Sequence, residues 1–90
     1  MIGLEARPRR RDRVLVQRAA DQCILLDVDS GNYYALDEVS GRIWELCDGD
    51  HSVSSMVEAI CQDFEAPAGD VEADVLAFLG EMASERLVSA

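Results

Sequence analysis

The sequence predicts an α+β fold: a three-stranded antiparallel sheet followed by three α-helices, arranged like a winged helix-turn-helix. Three observations carry this. Before Leu36 the apolar residues fall in short β-rich runs, and after it they recur every three to four positions. Asp29-Ser-Gly-Asn32 is a turn of residues that tolerate positive φ, which marks a hairpin. Asp48–His51 and Pro67-Ala-Gly69 then divide the helical half into three pieces.

The elements follow in order. Arg13–Arg18 (Arg-Val-Leu-Val-Gln-Arg) is β-branched and alternates weakly, as a first strand would. Residues 19–22 form a short connection. Cys23–Val28 is a nearly continuous apolar run of strand length, suited to the central strand of a meander. Tyr33-Tyr-Ala-Leu36 is the third strand, and so an edge. In the first helix Val39, Ile43, Leu46 and Cys47 share one face, Asp37-Glu38 suits the positive end, and Gly49 marks the stop. Ser52 caps a second helix with Val53, Met56, Val57, Ile60, Cys61 and Phe64 on one face. Asp70 opens a third helix running to about Glu85, with Val71, Val75, Phe78, Leu79 and Met82 inward. Leu87-Val88 closes the domain.

Charge divides the chain of 90 residues, whose formal net charge is −10. Residues 1–18 hold six of the eight basic residues, whereas 19–90 hold only Arg42 and Arg86 against sixteen acids. Residues 1–12, with Pro8 and the Arg7–Arg11 cluster, read as a flexible basic arm, and residues 13–90 as the domain. An acidic body repels phosphate backbones and attracts basic peptides. The second helix, Ser52–Phe64, contains Glu58 and Asp63 and no cation, so it lacks the phosphate contacts that a DNA-recognition helix needs. No nucleic-acid partner is expected.

Other classes are set aside in the same way. The longest apolar run is Cys23–Leu26, far short of the ~20 residues of a membrane span. The arginine-rich N-terminus lacks the apolar core of a secretory signal, so a cytoplasmic location is expected. Cys23, Cys47 and Cys61 make no Cys-x-x-Cys pair, and His51 is the sole histidine, so no metal site is expected. The cysteines read as small buried hydrophobes. His51 beside Asp50 and Ser52 is a sequence neighbourhood, not a triad, so neither catalysis nor a cofactor is expected.

One feature points to a ligand. Arg13 and Arg18 flank the first strand and deter edge pairing, but Tyr33–Leu36 carries no charge. Such an edge calls for a cover. Either the third helix supplies it, or a partner adds a peptide strand.

Tyr33-Tyr-Ala-Leu36-Asp37, then Ile43-Trp-Glu-Leu46-Cys47-Asp48-Gly49, Ser52-Val53 and Asp74-Val75-Leu-Ala-Phe78-Leu79, resemble the PqqD-like proteins across roughly Val14 to Val88. The resemblance implies a non-catalytic recognition element for ribosomally made, post-translationally modified peptides. In that family the leader of a precursor peptide pairs with the third strand and packs against the third helix. The complex is then presented to a maturation enzyme. The arginine arm and the Tyr-Tyr strand look closer to the stand-alone proteins of lasso peptide pathways, whose partner is a transglutaminase-like leader peptidase. The alternative is a quinone-cofactor pathway with a radical S-adenosylmethionine enzyme. Carried over position by position, Asn32, Tyr33, Tyr34, Ala35 and Leu36 would supply the edge. Val71, Asp74, Val75, Phe78, Glu81 and Met82 would supply the helical wall. Leu36, Val75 and Leu79 would also serve the core, Asp74 and Phe78 would border the groove, and Asp74 and Glu81 would attract a basic leader.

Overall fold

The computed structural model describes residues 2–19 and 22–89. Its elements are β1 (Arg9–Arg10), β2 (Val14–Ala19), β3 (Gln22–Asp27), β4 (Tyr33–Leu36), α1 (Glu38–Leu46), α2 (Val53–Phe64), α3 (Ala68–Ser84) and β5 (Val88–Ser89). The expected α+β arrangement is present, with β2, β3 and β4 forming an antiparallel meander centred on β3. Ala20 and Asp21, in the middle of the predicted connection, lie outside the described residues.

Strand alternation sorts β3 into two faces. Cys23 and Leu25 are buried in the core, together with Ile43 and Trp44 of α1, Met56 and Ile60 of α2, and Val75 and Leu79 of α3. Gly41 lets α1 lie close to the sheet, since a Cβ there would sit 3.3 Å from the Cβ of Cys23. The helix starts follow local chemistry. Asp37 accepts from the Ser40 N–H at 2.8 Å, and Ser52 accepts from the Ser55 N–H at 3.1 Å. Helix α3 begins at Ala68, two residues before the predicted Asp70, because Pro67 lies at its N-cap and pre-sets the backbone there. Asp70 falls in its first turn.

The N-terminal segment departs from the flexible arm expected for residues 1–12. From Ile2 onward it is laid along the domain. Strand β1 pairs antiparallel with β5, a two-stranded sheet the sequence reading did not foresee. Pro8 is fully buried, and Arg10 donates to the carbonyls of Trp44 and Glu45 at 3.0 and 2.7 Å. The carbonyls of Leu4 and Ala6 accept from the N–H groups of Ser54 and Val53, at 3.0 and 2.9 Å. Those donors belong to the first turn of α2, where a helix has no internal partner for them. The segment therefore completes a helix end that would otherwise rely on water.

Candidate functional site

The hydrogen-bond pattern of the sheet fixes what β4 offers. The Asp27 N–H donates to the Asn32 carbonyl at 2.9 Å, so Asn32 faces β3. Backbone groups alternate sides along a strand, so Tyr34 and Leu36 also bond toward β3, opposite Leu25 and Cys23. Tyr33 and Ala35 point their N–H and C=O groups away from the sheet. Among the described residues no strand pairs with that side. Tyr33 is 75% exposed and Ala35 is exposed, so this edge is open.

Side chains alternate as well. Leu36 is buried, and Tyr34 lies half-buried on the same face, its hydroxyl donating to Glu85 Oε2 at 3.1 Å. Partial desolvation, then that hydrogen bond, raise the Tyr34 pKa above its ordinary value. Glu85 just follows α3, and the residues spaced three to four apart behind it are Glu81, Phe78 and Asp74. Such residues share a helix flank, so the flank that reaches Tyr34 carries Phe78, half-buried, and the exposed Asp74 and Glu81. An open concavity of about 540 Å³ at this end is lined by Gly31, Asn32, Tyr33, Tyr34 and Glu85.

The expected site residues thus divide in two. Asn32, Tyr33, Ala35, Asp74, Phe78 and Glu81 are accessible in whole or part, and Tyr34 bridges to α3. Leu36, Val71, Val75 and Met82 are buried. For Val71 and Met82 this corrects the expected groove position: they back the wall from inside the core. Glu85 escaped the sequence reading, although the spacing Asp74, Phe78, Glu81, Glu85 continues the same flank.

The remaining polar candidates are engaged elsewhere. His51 Nδ1 lies 2.9 Å from Asp48 Oδ2, and the Ser52 hydroxyl caps α2. Burial pushes the Cys47 thiol up to about 12, and its S–H donates to the Ile43 carbonyl at 3.3 Å. Cys23 is also buried, and Cys61 is half-buried. Among the described residues no three His, Cys, Asp or Glu side chains group as metal ligands, and no helix is long and apolar enough to cross a membrane.

Residues 22–88 match the family described as coenzyme PQQ synthesis protein D (PqqD). A PqqA binding protein of Xanthomonas oryzae pv. oryzae (strain PXO99A) is 30% identical over 76 residues, which cover 84% of this chain and 80% of that protein. One from Xanthomonas axonopodis pv. citri (strain 306) is 29% identical over 89 residues, covering 97% and 95%. The structure of TbiB1 in complex with the TbiA(beta) leader peptide superposes with a TM-score of 0.81 at 30% identity, covering 91% of this chain and 95% of that one. A lasso peptide synthetase B1 complexed with its leader peptide gives 0.80 at 26% identity, covering 94% and 100%. The PqqD truncation of Methylobacterium extorquens PqqCD, a RiPP recognition element, gives 0.83 at 23% identity, covering 100% and 96%, and attests the shared fold.

Proposed function

This chain belongs to the PqqD family, and we propose that it binds the leader segment of a ribosomally made precursor peptide and presents it to a maturation enzyme. The observation that carries the reading is the open β4 edge. Tyr33 and Ala35 offer two N–H and two C=O groups to an added strand. Four such bonds contribute roughly 0.5–1.5 kcal/mol each, so contacts on the Phe78 flank must supply the rest of a micromolar affinity, about −8 kcal/mol. Asp74, Glu81 and Glu85 make that flank acidic, which suits a leader bearing a basic residue. In this reading the protein is a cytoplasmic adaptor that performs no chemistry.

A lasso-type pathway, with a leader peptidase as the receiving enzyme, is favoured. A leader-bound lasso peptide synthetase B1 matches 94% of the chain at 26% identity, and the leader-bound TbiB1 matches 91% at 30%. The quinone-cofactor pathway is the second reading, favoured by the 30% identity to a PqqA binding protein. Fluorescence anisotropy with a labelled leader from the neighbouring precursor gene, and with a PqqA-type peptide, separates the two.

The leader is expected to bind in the micromolar range or tighter. Ala35→Pro removes an outward N–H without breaking a ladder bond, and should weaken binding at least tenfold with the circular dichroism spectrum unchanged. Unaltered affinity in a folded Phe78→Ala variant would sink the groove assignment.

A further inference from the structure

Antiparallel sheets with one face in water usually turn polar residues outward. This sheet does so only at Gln17 and Gln22. On the face opposite Cys23 and Leu25, alternation and register align Leu15 of β2, Ile24 and Leu26 of β3, and Tyr33 of β4. Val28 continues the row just past β3. Leu15, Val28 and Tyr33 are 58%, 44% and 75% exposed. A shallow depression there is lined by Leu15, Val16, Gln17, Ile24, Leu26 and Tyr33. The chain holds 18 acidic residues, yet the outward positions of β2, β3 and β4 carry none. An uncharged apolar face on so acidic a protein marks a contact surface.

We propose that this outer face, lengthened by a leader strand on β4, is the docking surface for the maturation enzyme. The proposal rests on the leader-binding reading and adds where the next partner sits. Continuity is the first argument. Tyr33 and Ala35 belong both to the open edge and to the outward row, so a strand paired there lays alternate side chains onto the same face. Size is the second. A handful of apolar side chains falls well short of the ~20–30 residues a side of a stable interface, so the empty face is too small for a lasting dimer. A second copy also brings another −10 of charge. Arg13, the cation at the rim of this face, is already paired with Asp29 at 2.8 Å, so the enzyme surface that fits is apolar.

The enzyme then prefers the loaded protein, and by reciprocity it tightens leader binding by the same factor. The probe is the purified leader peptidase accompanying the precursor gene. Leader affinity is read by anisotropy with and without saturating enzyme. In the wild type the enzyme should tighten leader binding at least tenfold. Leu15→Glu should melt normally, bind leader alone within twofold of wild type, and lose the enhancement. Leu4→Glu, an exposed apolar position off this face, should keep it. An enhancement that survives Leu15→Glu, or its absence from the wild type, overturns the proposal. So does a wild-type dimer in sedimentation that Leu15→Glu abolishes, since a second copy would then own the face. Failure of the wild type to bind leader at all is a different result: it removes the functional reading, and this proposal with it.

Discussion

Asp48 shows how one carboxylate fixes a connection. It lies 2.9 Å from His51 Nδ1 and accepts the Asp50 and His51 N–H groups at 2.8 and 3.2 Å, stitching the turn between α1 and α2. The His51 side-chain bond, then the Asp50 N–H, hold its pKa down at about 2 against an ordinary 3.8. The folded state thus binds this proton less readily than the unfolded chain. Its contribution to stability is present above about pH 4 and is lost as pH falls through about 2. Thermal melts should therefore show wild type losing its advantage over Asp48→Asn between pH 4 and pH 2, and an unchanging difference across that window would refute the assignment. At this scale His51 stands in sequence beside Asp50 and Ser52, whereas its side-chain partner is Asp48. Only the fold of the turn decides which neighbour it meets.

Among the elements, α1 has no basic residue in its own last turn, although a cation there complements the helix dipole. Arg10, distant in sequence, supplies it through the Trp44 and Glu45 carbonyls. Arg10→Ala should cost about 1–2 kcal/mol, read as a lower urea midpoint at unchanged m-value. Arg10→Lys should recover part of the loss, since charge remains but the rigid planar group that aims Nη1 at both carbonyls does not. The helices themselves were legible because each has an apolar stripe, and Asp37 and Ser52 signal the first two starts. Pro67, legible only as a break, sets the start of α3 two residues before the expected Asp70. The stripe said less about the groove. Val71 and Met82 sit on the buried side of α3 and Glu85 on the side toward Tyr34, and only the neighbours of the helix settle where core ends and groove begins.

For the molecule as a whole, the expected basic arm is a fixed strap. Deleting residues 1–11 removes the buried Pro8, the Arg10 bonds and two acceptors of the α2 first turn. A loss of about 2–3 kcal/mol would lower the melting temperature by roughly 8–24 °C, since each kcal/mol shifts a domain of this size by ~4–8 °C. A truly free arm would leave it unchanged. The strap was illegible because the half-buried Ile2 and Ala6 share its inward side with Pro8 and Arg10, and a proline and an arginine are not the apolar residues that betray a strand. The sequence by itself determined the order of strands and helices, the meander, the uncharged third strand and the family resemblance, because these rest on period, turn chemistry and local motifs. Tertiary structure alone decided that Tyr33 and Ala35 face outward, that Glu85 joins the flank, and that the second face of β3 is uncovered. Each depends on what other segments pack nearby. The run Cys23–Leu26 reads the same whether one side of the sheet or both are buried.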